Sequence, residues 1–349
     1  MSNLYSDDAE IMAGIDVPWD KLEGRTVLIS GANGYVPSYF VHTFMKRNDL
    51  FNTKIKVVAL CRSEARAMER FGDYAGRIDF ELLLQDVCEP ILSGNADYII
   101  HAASPASQSS RYINHVDTYE VNTLGCHNLL EFAREHKCAG FLLVSSGDIY
   151  GSTASEDPLQ RFPEDFMGYL DILNPRNAYA LGKRGAETLC ACYHAQYGTP
   201  AVIARPFQIM GPGISLNDGR LHIDFISQML ASNRIVLKSD GSALRSFTYI
   251  TDAVSGMLFA MLKGTPCEAY NVVDENGEAS VRELAELMSS LCADKQISIE
   301  FDISQRGTPA VKNAPAATLG RSDKLRGLGW NPRYTLEQCA SRMLRAYGL

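Results

Sequence analysis

The sequence predicts an α/β protein built on a doubly wound parallel sheet, with a smaller C-terminal lobe. Three observations predict it. A short apolar strand, Thr26 to Ile29, runs through a glycine-bearing turn into a helix from Tyr35 to Lys46. Four further strand-like runs follow, separated by helical stretches, and alternation at this spacing belongs to a parallel sheet rather than a barrel or sandwich. Nearly every polar motif then falls just past the carboxyl end of a strand, where open sheets of this class bind ligands.

Residues 1–24 form an N-terminal extension. Asp7, Asp8 and Glu10 open a short helical lead-in that Pro18-Trp19 would pin to the body, a disordered arm being the alternative. The first turn reads Gly31-Ala-Asn33-Gly34-Tyr35-Val36. Strand, turn and helix together aim free backbone N–H groups and a positive helix end at one point, which suits a pyrophosphate. Pro37 stands where a third glycine is usual.

Ile55 to Leu60 is the second strand. In a dinucleotide fold the residue beyond it meets the adenosine ribose: an acid holds the 2′-OH, whereas an arginine accommodates a 2′-phosphate. Here Cys61-Arg62-Ser63 brings no acid. Arg62 either reaches a 2′-phosphate or adenine, or simply starts a solvated, charged helix. Phe80 to Leu84 is the third strand, and Asp86-Val87 beyond it places Asp86 to accept from an adenine amino group, a surface turn being the alternative. Asp97 to Ala103 is the fourth. Its small end residues Ala102 and Ala103 allow close approach of a cofactor, and Ser104-Pro105-Ala106-Ser107 continues as a loop. Asp117 to His136 reads as a helix with Asn122 turned to the site.

The fifth strand starts at Phe141 and runs into Ser145-Ser146-Gly-Asp148-Ile-Tyr150-Gly151. About thirty residues on, Tyr179 and Lys183 stand at i and i+4 in a helix reaching Tyr197, which puts phenol and ammonium on one face. An adjacent cation favours the phenolate over the phenol, as a general base requires. A hydroxyl from Ser146 on the same substrate oxygen would complete the constellation. Tyr-x-x-x-Lys is frequent on surface helices; its meaning comes from the glycine turn and serine-bearing strand end that precede it.

With these residues the chain resembles the extended short-chain dehydrogenase/reductase family of nucleotide-sugar epimerases, dehydratases and decarboxylases. The resemblance covers residues 25–348. It includes His101-Ala-Ala-Ser104, Asn122, Tyr150-Gly151, Arg205-Pro206-Phe207, Arg245-Ser-Phe-Thr-Tyr249 with Asp252, and Leu328-Gly-Trp-Asn-Pro332. Ala103-Ser-Pro-Ala106 and Asn217-Asp-Gly-Arg220-Leu-His-Ile-Asp-Phe225 are similar to the UDP-glucuronate decarboxylase branch. The resemblance implies a Rossmann domain at 25–206, to which 240–270 returns, and a substrate lobe at 207–239 and 271–349. It implies NAD as cofactor, with NADP permitted by the missing acid, and a nucleoside-diphosphate sugar as substrate. Ser146 and Tyr179 would act on the sugar 4-hydroxyl, Lys183 on the nicotinamide ribose, and Asp148 as acid or base at C5. Gly31, Asn33, Gly34, Tyr35, Val36, Arg62, Asp86, Val87, Ala102, Ala103, Ser104, Asn122, Ser145, Tyr179, Lys183 and Pro206 would hold the cofactor. Ser107, Gln208, Arg220, Arg245 and Arg306 are the candidate substrate contacts. Asp148 departs from the family, which usually carries glutamate there, and its arm is one methylene shorter.

The net charge of −8 argues against a nucleic-acid or anionic-membrane surface. Nine scattered cysteines without a Cys-x-x-Cys pair read as reduced thiols of a cytoplasmic protein, and seven dispersed histidines predict no metal site. No apolar run is long enough to span a membrane. The helices at 117–136 and 178–197 would pair in a homodimer or be buried within one chain. Two other readings stand beside the leading one: an NADP(H)-dependent reductase that releases its cofactor each turnover, and a non-catalytic nucleotide-binding protein.

Overall fold

The structure is a computed structural model and describes residues 3–92, 94–105, 113–152, 160–302 and 317–349. The chain opens with helix α1 (Asn3–Ala13), so the extension is helical. Trp19 follows, buried edge-on against Phe44 with the Arg47 guanidinium 4.7 Å over its ring. Then come β1 (Thr26–Ser30), α2 (Tyr35–Phe51), β2 (Lys56–Cys61), α3 (Glu64–Phe71), β3 (Phe80–Leu84) and β4 (Tyr98–His101). They are followed by α4 (His115–Glu135), β5 (Gly140–Val144), the short β6 (Arg161–Phe162), α5 (Ala178–Tyr197), β7 (Ala201–Pro206) and β8 (Gln208–Met210). The last part holds α6 (Leu221–Ser232), β9 (Arg234–Leu237), β10 (Leu244–Tyr249), α7 (Ile250–Lys263), β11 (Ala269–Val272) and β12 (Glu278–Ser280). It closes with α8 (Val281–Ser290), β13 (Ser298–Phe301), β14 (Ala317–Gly320), α9 (Asp323–Gly327) and α10 (Leu336–Ala346).

Seven parallel strands form the main sheet in the order β11-β7-β5-β4-β1-β2-β3. The chain reverses direction of winding between β1 and β4, so the crevice beyond their carboxyl ends is where such a sheet takes a ligand. Alternate residues of β1 face opposite cores. Val27 and Ile29 pack with Phe40, Phe44 and Met257 on one side; Leu28 packs with Leu129, Phe141 and Leu143 on the other. A second, mixed sheet in the order β12-β10-β14-β6, with β8 paired to β10, forms the facing lobe. Its own core includes Phe225, Met229, Phe247, Leu284 and Met343. The capping box foreseen at Ser280 and Glu283 is formed at the start of α8.

Two predicted strands end early for the same kind of reason. The Ala102 and Ala103 N–H groups donate to Ser30 Oγ (3.1 Å each) rather than to a neighbouring strand, so β4 stops at His101. Past β5, Ser146 Oγ accepts the Asp148 N–H (3.1 Å) and folds Gly147–Tyr150 into a 3-10 turn. In both places a serine hydroxyl takes over from the ladder at the mouth of the crevice.

Candidate active site

The crevice is open to solvent and runs from the glycine turn to Tyr179 and Lys183. Its floor is the glycine turn. Gly31 has φ +64°, and a Cβ there would lie 2.8 Å from Ala103 Cα, so a side chain is excluded both by conformation and by the crossing of β4's continuation. Gly34 precedes α2 and bonds back to Gly31 O at 2.8 Å. Pro37 is the third residue of α2, where the N–H has no partner within the helix. The turn therefore offers the Tyr35 and Val36 N–H groups but lacks the donor an ordinary residue would add at Pro37.

Opposite stands the chemical wall. Lys183 is 2% exposed; its Nζ donates to Val144 O at 2.7 Å and lies 5.9 Å from the centre of the Tyr179 ring. The ammonium is thus fixed between the end of β5 and the phenol, within range of the ring's negative face. Because Ser146 Oγ accepts from Asp148 N, its own proton is left to donate into the crevice. Tyr179, Ser146 and Asp148 all line that crevice, with Asp148 exposed to it.

A buried frame holds this wall. Arg205 on β7 donates from Nε and Nη2 to the Glu187 carboxylate (3.0 and 2.7 Å) and from Nη1 to Tyr150 Oη (2.9 Å) and Glu164 O (2.6 Å). Ser145 Oγ donates to Glu187 Oε1 at 2.5 Å, and Tyr150 Oη donates to Asn271 Oδ1 at 2.6 Å. Glu187 lies one turn beyond Lys183, so this pair locks the helix carrying Tyr179 to the strand end carrying Ser146. Sequence reasoning left Glu187 out, although its i+4 spacing from Lys183 was there to be read.

His101 is fully buried beside this frame, and burial, helped by Lys183, lowers its pKa to about 3. Ser30 Oγ already accepts two N–H groups, so it donates to His101 Nδ1 at 2.8 Å and the imidazole is neutral with its proton on Nε2.

The crevice gathers Gly31, Gly34, Tyr35, Val36, Ala102, Ser104, Ser145, Ser146, Asp148, Tyr179, Lys183, Pro206, Gln208 and Arg220 from the residues expected. Thr318 on β14 and Ile209 on β8 line it too, and carry no local motif that would have announced them. Other expected residues lie elsewhere. Val87 is buried against Gly125 of α4, and Asn122 sits beneath Gly182 with its amide donating to Thr118 O. Asn33 and Ala103 are not among the residues that line the crevice. Arg62 and Asp86 pair with each other (3.5 Å), and Asp86 also accepts the Cys88 N–H, because both strand ends converge at one edge of the sheet. The Ser145 hydroxyl is taken by Glu187. Arg245 is not among the lining residues; it is largely buried, which works against its charge, while Asp148 favours it. Arg220, expected on the substrate, lies 5.2 Å over the Tyr35 ring, on the glycine-turn side. Ser107 and Arg306 lie outside the described residues. Among the described residues there is no cluster of histidine, cysteine and carboxylate able to hold a metal, and no helix long and apolar enough to cross a membrane.

A family model described as the NAD dependent epimerase/dehydratase family matches residues 27–272. The chain is 33% identical over 313 residues to UDP-glucuronic acid decarboxylase 3 of Arabidopsis thaliana, covering 89% of this chain and 86% of that one. It is 30% identical over 330 residues to UDP-glucuronic acid decarboxylase 1 of Danio rerio, covering 93% and 72%. The fold superposes with a TM-score of 0.75 on UDP-glucuronic acid 4-epimerase from Bacillus cereus in complex with UDP-glucuronic acid and NAD, at 22% identity over 92% of this chain and 98% of that one.

Proposed function

The chain belongs to the NAD-dependent epimerase/dehydratase family, and on that premise we propose that it decarboxylates a UDP-linked uronic acid through a 4-keto intermediate. The observation that carries this is the meeting of Ser146, Tyr179 and Lys183 in one crevice with the glycine turn. The two decarboxylase relatives support the sugar and the net reaction.

The residues present fit NAD. Gly31 leaves no side chain between the turn and β4's continuation, and Arg220 adds a cation beside Tyr35. The Asp86 carboxylate beside Arg62 would oppose a 2′-phosphate, which favours NAD over NADP. When bound, NAD supplies the acceptor for the C4 hydride and later returns it. Tyr179 takes the proton of the 4-hydroxyl, and Ser146 donates to the same oxygen. With a ketone at C4, the C5 carboxylate leaves as carbon dioxide without a base, its electron pair drawn toward the C4 oxygen. Asp148, exposed to the crevice, then relays a proton from solvent to C5.

Purified protein incubated with NAD and UDP-glucuronic acid should give a product lighter by one carbon dioxide. A product lighter by water, or an isomer of unchanged mass, would replace decarboxylation by dehydration or epimerisation. We further assign residues 25–206, β6 apart, with 250–272 to the cofactor and the rest after 206 to the sugar nucleotide; the return expected at 240–270 is shifted because β10 lies in the second sheet and β11 in the main one. A homodimer is supported by exposed Val116, Tyr119 and Leu124 on α4 beside exposed Ile172 and Leu173; sedimentation velocity tests it. Nine free thiols support a cytoplasmic setting.

A further inference from the structure

The N-terminal helix is not accounted for by any of this, yet it buries polar groups that an inert extension would leave in water. We propose that α1 is a cofactor-retaining element, with Tyr5 and Asp8 as positioning residues that hold the 211–220 segment against the glycine turn; this rests on the assignment of NAD to that turn.

Three chain segments meet at Tyr5. Its ring packs on Tyr39 of α2 with centroids 4.6 Å apart. Gly213 lies directly beneath it: φ there is +92°, and a Cβ would come 2.5 Å from Tyr5 Cε2. Ser38 Oγ donates to Tyr35 O (2.8 Å), so the Tyr5 hydroxyl donates to Ser38 Oγ (3.2 Å). Arg70 completes the knot. Its Nη1 reaches both Tyr5 Oη (3.2 Å) and Ser38 Oγ (2.8 Å), and its Nη2 reaches Gly213 O (3.3 Å). Tyr39 Oη donates to Pro212 O at 3.1 Å. One guanidinium and two phenols thus tie α1, the first turns of α2 and the 212–213 backbone together.

Asp8 fixes the other side of the same helix. It is completely buried and accepts from Tyr249 Oη (2.9 Å) and Arg342 Nη2 (2.5 Å). Tyr249 ends β10 opposite Met210, the last residue of β8, so Asp8 anchors α1 where the 211–220 segment begins. That segment delivers Arg220 onto the Tyr35 ring, with Nε paired to the Asp218 carboxylate (3.3 Å) and Nη1 buried without a hydrogen-bond partner among the described residues. Asp218 thus fixes the guanidinium from one side, and the Nη1 donor is left for an anionic group at the turn. Its position depends on the backbone from 211 onward, and that backbone is held by α1.

The test uses full-length protein stripped of cofactor, with NAD binding measured by calorimetry and steady-state kinetics run in parallel. If the segment is ordered only a tenth of the time without its anchor, apparent Kd for NAD rises about tenfold. We expect that rise for Asp8→Asn and about threefold for Tyr5→Phe, which keeps the ring. The KM for NAD should rise in step, with kcat at saturating NAD retained. In an Arg220→Ala background neither change should weaken NAD further, because all act through one guanidinium. Variants that melt earlier but bind NAD as tightly as wild type would overturn the proposal, as would additive losses in the Arg220→Ala background. A wild-type protein that binds no NAD would instead refute the assignment of cofactor on which the proposal rests.

Discussion

Replacing Glu187 by leucine should cost far more stability than any surface charge. The carboxylate accepts three hydrogen bonds, from Ser145 Oγ and twice from Arg205, in a region where both side chains are 10% exposed or less. Burial alone disfavours the Arg205 charge; Glu187 outweighs it and holds the guanidinium firmly protonated. Removing one partner from a buried pair costs about 3–5 kcal/mol, because the survivor is left uncompensated. Arg205 would keep Tyr150 Oη and Glu164 O, so the lower end, about 3 kcal/mol, is the expected loss. Both tryptophans, Trp19 and Trp330, are buried, so their fluorescence reports unfolding in urea. The double variant Glu187→Leu with Arg205→Met removes both charges and should recover most of the loss. Turnover should fall in the single variant, since the register between Ser146 and Tyr179 is set through this pair. A loss below about 1 kcal/mol, or a double variant less stable than the single one, would refute the reasoning.

Tyr179→Phe should lower kcat by about 10²- to 10⁴-fold while leaving NAD binding intact, read by product formation and calorimetry. Gly31→Ala places a Cβ 2.8 Å from Ala103 Cα at φ +64°; NAD binding should be lost and the melting temperature lowered. Asp252, buried and only partly offset by the N–H groups of Arg333 and Tyr334, has its pKa raised to about 6. The folded protein therefore holds this proton more tightly than the unfolded chain. Its contribution to stability is full below about pH 4 and is lost as pH rises through 6. Asp252→Asn should flatten the stability profile across that window by about 3 kcal/mol, measured by urea unfolding at each pH.

What could be read from the chain were features written within a few dozen residues. The strand, glycine turn and helix at 26–46 announce themselves by composition, and Tyr179 with Lys183 by helical spacing. The third strand, Phe80 to Leu84, was legible to the residue. The facing lobe was not, because β6 is two residues long and pairs with β14, more than 150 positions away. Arg62 and Asp86 were each read against a ligand; that they neutralise each other depends on β2 and β3 being neighbours. That Arg220 covers the Tyr35 ring was not legible, since nothing local reveals which ring its guanidinium meets. Tyr5 and Asp8 were seen only as part of an acidic leader, for their partners belong to residues 38, 70, 213, 249 and 342.

The bond between Asp8 and Arg342 joins the beginning of the chain to its last helix. During synthesis α1 emerges first, with a carboxylate it can bury only once the matching cation has been made. Until then its apolar side, including Met12 and Ala13, has α2 and the Tyr5–Ser38–Arg70 bonds to hold it, but the Asp8 anchor is missing. The nascent chain must therefore wait until α10 has been made before Asp8 is paired, a delay during which such surfaces are exposed to aggregation or chaperone capture.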